Sequence, residues 1–318
     1  MNFPADLLKQ CWILAGPTAV GKTATALRLA DRLNAEILSM DSMAVYRGMD
    51  IGTAKPDESG RAAVPHHLID LADPHQNFSV AEYTDAALSV ANDVISRGHV
   101  PLFAGGTGLY LRAILRGIFD GAPADWDVRS QLEKLRRQNG PQYLYDRLFR
   151  IDPRTAARLH VNDQRRIIRA LEVHAVTGVQ LSEHHHHLPR PKNAQPAAVL
   201  WLEPPRNWLR ERIDLRVDQM MRKGLLEETR RLLSAEPVPG QTARQALGYR
   251  ELITHLEEGQ ALEECVKLIK VRTRQFAKRQ HTWFRNLQEC RSVPISGQES
   301  ADQLADRLLQ ESRRCDRK

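Results

Sequence analysis

Eight residues near the start constrain this chain more than any other feature of it. Gly16-Pro17-Thr18-Ala19-Val20-Gly21-Lys22-Thr23 fits the pattern G-x-x-x-x-G-K-[ST] in full. The apolar run from Cys11 to Ala15 before it reads as a strand, and the stretch from about Lys22 to Leu33 after it as a helix. That is the context a phosphate-binding loop requires. The glycines let backbone N–H groups turn inward around an anion, and the helix N-terminus adds the positive end of its dipole. Lys22 supplies a point charge and Thr23 a hydroxyl suited to Mg²⁺. A loop of this kind belongs to an α/β fold with a parallel sheet, a P-loop NTPase-like core.

The pattern continues through the first third of the chain. Ile37 to Met40 reads as a second buried strand ending at Asp41, and Leu68 to Leu71 as a third. Ser79 followed by Glu82 is a capping-box signature for a helix stopping near Gly98. Val100 to Ala104 is a further apolar run, ending at Gly105-Gly106. From about Gly117 to Pro196 the sequence turns helical and highly charged, with helix starts at Asp152-Pro153 and at Asp163, the latter helix ending at Gly178. Ala198 to Leu202 restores one buried strand, and the rest, from about Arg206, reads as helices. The economical organisation is a core of 1–116 and 197–318, interrupted by an all-helical insertion domain at 117–196.

Composition narrows the setting. The 318 residues carry a formal charge of +7, which favours an anionic partner, although many cytosolic proteins are mildly basic. Four cysteines (Cys11, Cys265, Cys290, Cys315) show neither CxxC spacing nor a pairing pattern, as expected of reduced, mostly buried thiols. No apolar run approaches the ~20 residues of a membrane span, and no secretory signal is visible. The expectation is a cytoplasmic protein without a membrane partner, and nothing demands more than a monomer.

Asp41 closes an apolar strand, a position that serves equally for a Mg²⁺ partner in nucleotide chemistry or for a general base. A purely structural turn cap is the plain alternative. Between Lys267 and Arg291 there are eight Lys or Arg residues and one acid, Glu289. Lys267, Lys270, Arg274, Lys278, His281 and Arg285 recur at helical intervals, while Ile269, Phe276, Trp283 and Leu287 mark a docking face. Such a helix is either simply solvated or a surface that tracks phosphates. Arg165, Arg166 and Arg169 add a smaller basic cluster. Arg212 and Arg216 lie one turn apart and could clamp a phosphate or pair with Glu211 and Asp214. The tract His184 to His187 lacks the spacing of a metal site and reads as a loop.

Together these motifs resemble the transfer RNA dimethylallyltransferase (IPP transferase) family. The resemblance rests on Gly16 to Thr23, on Asp41-Ser42-Met43-Ala44-Val45-Tyr46-Arg47-Gly48-Met49-Asp50-Ile51-Gly52-Thr53-Ala54-Lys55-Pro56, and on Pro65-His66-His67-Leu68-Ile69-Asp70. Gly105-Gly106-Thr107-Gly108-Leu109-Tyr110, Gly248-Tyr249-Arg250 and Lys278-Arg279-Gln280-His281-Thr282-Trp283-Phe284-Arg285 complete it. It runs from about residue 12 to 287, and the long Asp41 motif is more specific than any P-loop. Many members have Gln where Ala44 stands here.

The resemblance implies prenylation of the exocyclic N6 of the adenine beside the anticodon, with dimethylallyl diphosphate as donor and Mg²⁺ assisting. It implies Asp41 as base, Thr18 as an orienting group, Arg216 as a stabiliser of the leaving group, and Gly16, Pro17, Thr18, Ala19, Val20, Gly21, Lys22 and Thr23 as the diphosphate cradle, with Thr23 toward the metal. For the anticodon stem-loop it implies Asp41, Ser42, Met43, Ala44, Thr107 and Arg129, and Gln164, Arg165, Arg166, Ile167 and Ile168 in the insertion. It adds Gln245, Ala246, Leu247, Gly248, Tyr249 and Arg250, and Lys278, Arg279, Gln280, His281, Thr282, Trp283, Phe284 and Arg285. A small-molecule kinase would explain the P-loop and Asp41 but not the basic helix. A nucleotide-driven RNA-binding switch would explain loop and charge but give Asp41 no base to be.

Overall fold

The computed structural model describes residues 3–117, 124–183 and 189–313; the His184–His187 tract and Cys315 lie outside them. Six strands form one sheet in the order β3-β2-β4-β1-β5-β6, with every pairing parallel. The strands are β1 (Trp12–Ala15), β2 (Ala35–Met40), β3 (His66–His67), β4 (Val100–Gly105), β5 (Ala198–Glu203) and β6 (Arg291–Pro294). This is the α/β architecture expected from the loop and its flanks.

A parallel sheet is covered on both faces, so its central strands are apolar throughout. Alternation sorts them. Ile13, Leu38, Met40, Phe103, Val199 and Trp201 face one layer, with Tyr83, Ala87, Ala91 and Val94 of helix α2 (Val80–Ser96) and Leu111 and Ile114 of α3 (Gly108–Arg116). Leu14, Ile37, Leu102, Leu200 and Leu202 face the other, with Ala26, Leu29 and Ala30 of α1 (Lys22–Leu33) and with Leu304, Ala305 and Leu308 near the C-terminus. The Ser79–Glu82 capping box forms as its sequence dictates. Helix α1 ends at Asn34, whose left-handed backbone (φ 51°) donates its N–H to the Ala30 carbonyl.

Two strand expectations are corrected. Leu68 to Leu71 is not a strand: β3 is only His66–His67, and Leu68 and Asp70 take φ of 62° and 56°, which a strand cannot hold. The apolar residues there are buried by a turn instead. The C-terminal part is not helical throughout, because β6 extends the sheet edge beside β5. Its four residues, Arg-Ser-Val-Pro, bury only Val293 and carry no periodic signal.

The chain divides into two compact units, Gly117–Leu188 and the remainder. Residues 189–196 fall in the larger unit. Arg190 Nε there donates to the Leu115 carbonyl at 2.9 Å. The smaller unit has its own core of Leu132, Leu144, Leu148, Ile167, Ile168 and Leu171, on helices α4 (Trp126–Asn139), α5 (Pro141–Ile151) and α6 (Gln164–Thr177). In the larger unit, α7 (Arg206–Arg222), α8 (Leu225–Leu233), α9 (Tyr249–Glu258) and α10 (Leu262–Asn286) bury Val217, Leu225, Leu232, Tyr249, Leu252 and Ile269 against Val45, Tyr46 and Met49 of the segment after β2. No helix of the described residues is long and apolar enough to cross a membrane. Cys11, Cys265 and Cys290 are free and buried.

Candidate active site

The Gly-rich loop leaves β1, and α1 starts at Lys22. Gly21 caps that helix with φ of 99° and supplies no side chain to its first turn, which leaves the amides there for an anion. Ala19 also holds positive φ, 65°. Lys22 Nζ donates to the Pro17 carbonyl at 2.8 Å, closing the loop on itself. Burial and the neighbouring Arg216 pull the Lys22 ammonium down to about 7, against the opposing pull of Asp41. Burial likewise lowers Arg216, with Asp41 opposing and Arg212 adding to the fall.

Asp41 follows β2, and its Oδ1 accepts from the Met43 N–H at 2.9 Å, so the structural turn role is real. Its carboxylate also lines two adjoining cavities. One, about 120 Å³, contains Lys22, Thr23, Ser39, Lys55, Gly105 and Gln280. The other, about 320 Å³, contains Ser42, Thr107, Tyr249, Arg250, Ile269 and Arg279. Asp41, Thr18, Arg216, Thr53 and Phe276 line both. A carboxylate, a hydroxyl and a guanidinium thus stand where an anion cavity meets a larger, mixed one.

The long segment from Asp41 to Pro56 is held by two buried charges that sequence reasoning left without a task. Glu228 accepts from the N–H groups of Asp50 (3.0 Å), Ile51 (2.9 Å) and Gly52 (3.2 Å) and from the Tyr249 hydroxyl (2.6 Å). The Lys55 side chain, 1% exposed, spends its three donors on the Tyr46 carbonyl (2.6 Å), Asp50 (2.7 Å) and Asp70 (2.6 Å). Burial alone would raise the Asp70 carboxyl; bonds from Lys55 and Arg61 hold it below its ordinary value. Lys55 stood in the quoted motif, but nothing in its spacing predicts three partners. Glu228 carried no signal at all.

Other expected site residues divide by burial. Thr107 Oγ1 accepts from the Ser42 N–H at 2.9 Å and faces the larger cavity, as do Met43, Gln245, Ala246, Leu247 and Gly248. Tyr249, Phe284 and Ile167 are fully buried, Ile168 and Ala44 nearly so, and Gln280 is 5% exposed. Their side chains pack or bond within the protein, and Tyr249 borders the larger cavity. Ala44 lines the smaller cavity instead. In the insertion unit, Arg165 and Arg166 are exposed. Gln164 bonds to the Pro141 and Val161 carbonyls. Arg129 donates to buried Glu172 at 3.0 Å and lies 4.9 Å above the Trp126 ring.

The basic helix is only partly free. Lys270 pairs with Asp218, Arg274 with Asp214 (both 2.6 Å) and His281 with Glu203 (2.9 Å). Its docking stripe is Cys265, Ile269, Thr273, Ala277, Gln280 and Phe284; Phe276 and Trp283, assigned to that face from sequence, are half-buried. Lys278, Arg279, Thr282 and Arg285 are exposed. Arg212, unlike Arg216, lines neither cavity and lies 5.6 Å over Trp208. Among the described residues no group of three or more His, Cys, Asp or Glu could hold a metal.

The family model described as IPP transferase matches residues 44–287. The chain belongs to the IPP transferase family. A tRNA dimethylallyltransferase from Symbiobacterium thermophilum is 45% identical over 95% of this chain and 96% of its own. One from Alkaliphilus oremlandii is 41% identical over 95% and 97%. Among solved structures, the full-length tRNA isopentenylpyrophosphate transferase of Bacillus halodurans superposes with a TM-score of 0.70 at 38% identity, covering 97% of this chain and 98% of that one. A eukaryotic dimethylallyltransferase acting on tRNA gives 0.75 at 28% identity, covering 90% and 74%. The IPP transferase fold therefore extends over both segments that build the two cavities.

Proposed function

We propose that this chain transfers a dimethylallyl group from dimethylallyl diphosphate to N6 of adenine 37, next to the anticodon, in transfer RNA. The observation that carries the reading is the meeting of two cavities at Asp41, Thr18 and Arg216. The smaller, with Lys22 and the loop amides, suits a diphosphate. The larger, with Thr107, Tyr249 and Arg279 around it, suits an unstacked base. The adenine N6 lone pair is delocalised into the ring, so this amine attacks poorly unless a base takes its proton. The N6–C1 bond forms as the C1–O bond of the allylic donor breaks. Asp41 accepts the N6 proton, and the departing diphosphate keeps the electron pair. Lys22, Arg216 and the loop amides stabilise that charge, with Thr18 orienting the reactants.

Mg²⁺ fits the donor set of the smaller cavity, few hard oxygens beside a phosphate site. Thr23 would hold it, and it would shield diphosphate charge. Lys278, Arg279 and Arg285 supply phosphate contacts along the anticodon stem, and Arg165 and Arg166 add charge from the insertion. A monomer in the cytoplasm, with its thiols reduced, suffices for this chemistry.

The test incubates the protein with labelled dimethylallyl diphosphate and unmodified transfer RNA. Label is expected on adenine. Asp41→Asn is expected to slow transfer roughly 10²–10⁴-fold while RNA affinity stays within about twofold, since the charge removed is not a phosphate contact. Brisk ATP turnover with no label on RNA would overturn the assignment in favour of a kinase.

A further inference from the structure

Gln280 lies on the basic helix between exposed Lys278 and Arg279 on one side and exposed Thr282 on the other, yet it is 5% exposed. Its side chain turns inward. Oε1 accepts from the Thr18 N–H at 2.9 Å, and Nε2 donates to the Gly106 carbonyl at 2.8 Å. The orientation of the amide follows from its partners, since a backbone N–H only donates and a carbonyl only accepts. Gly106 is required by this approach: a Cβ there would stand 2.3 Å from Nε2.

We propose that Gln280 is a positioning residue for the allylic diphosphate, acting through the Gly-rich loop, and is not a contact to RNA. The inference rests on the transferase reading above and deepens it. Thr18 is one of the residues lining both cavities, so the bond from Gln280 fixes the backbone of a residue at the point where the two substrates meet. The same amide ties the loop after β1 to the loop after β4, the two strand ends that flank the smaller cavity. Lys22 closes the loop from its other end through Pro17. The cradle therefore has its shape before an anion arrives, and the cost of ordering it is not charged against donor binding. Removing this one buried amide strands a backbone donor and a carbonyl together.

The prediction separates the two substrates. Gln280→Leu removes both bonds and is expected to raise the KM for dimethylallyl diphosphate roughly tenfold or more. Binding of inorganic diphosphate with Mg²⁺, followed by calorimetry, should weaken in parallel. RNA affinity should stay within about twofold of the parent, because no phosphate contact is removed. Gln280→Glu gives a second signature and guards against a Leu variant that fails to fold. Its protonated carboxyl offers an acceptor to Thr18 and a donor to Gly106, as the amide does. Relative to the parent at each pH, its donor KM should therefore fall as the pH is lowered through that carboxyl's titration.

Weakened RNA binding with an unchanged donor KM would overturn the inference and make Gln280 an RNA contact. A fall in kcat with both KM values and diphosphate affinity unchanged would overturn it equally. If the parent transfers no prenyl group, the functional reading fails; the diphosphate calorimetry of the variants still decides whether Gln280 shapes the anion site.

Discussion

Lys22 shows how a motif residue can be foreseen while its state is not. The P-loop pattern alone places it beside a phosphate, and as a charge. In the folded protein, burial and Arg216 lower it to about 7 from an ordinary 10.5. Above that pH the free protein holds this lysine mostly neutral, and a diphosphate beside it restores the ammonium. Binding then takes up a proton, so donor affinity falls as pH rises beyond about 7. Calorimetry about one pH unit above that value, in two buffers of different ionisation heat, should reveal proton uptake in the parent and less in Lys22→Met. Asp41 was foreseen as an acid at a strand end with three roles open; its place on the wall of two cavities required the fold. Glu228 was not foreseen and Gln280 was foreseen only for RNA, because they bond to backbone groups 176 and 262 positions away, and backbone groups leave no mark on sequence.

At the scale of elements, the segment after β2 has almost no regular structure and is positioned by Glu228, Lys55 and Tyr249. Gly52 is where this packing is tightest: a Cβ there would stand 2.4 Å from the buried Tyr249 ring. Gly52→Ala is expected to cost about 1–3 kcal/mol of stability, read from denaturant unfolding, and to lower transfer activity by loosening Thr53 at the cavity junction. A melt equal to the parent's would show that the ring has room to retreat. Elements with their own signals were legible. Helix α1 spans the Lys22 to Leu33 stretch read from the sequence, and α2 follows its capping box. Strands β3 and β6 were misread or missed because each is short and at an edge, one followed by left-handed turns and the other with a single buried residue.

For the molecule as a whole, the run of eight Lys or Arg residues between Lys267 and Arg291 overstates the cations available to a polyanion. Helix α10 meets Asp214 and Asp218 of α7, so its first half is largely neutralised. Lys278→Ala should reduce the salt slope of RNA affinity by roughly 0.7–0.9, whereas Arg274→Ala, which removes an ion-paired guanidinium, should leave the slope near the parent's. Equal losses for the two would mean that Asp214 yields its arginine to RNA.

The strand order carries a further consequence, for synthesis. Strand β1 is made long before one of its neighbours, β5, which begins at Ala198, and the Thr18 amide finds its partner only at Gln280. Contacts of such long range form slowly. The anion loop is made long before it is completed, so a nascent chain halted before α10 would expose an unfinished edge and hold no donor.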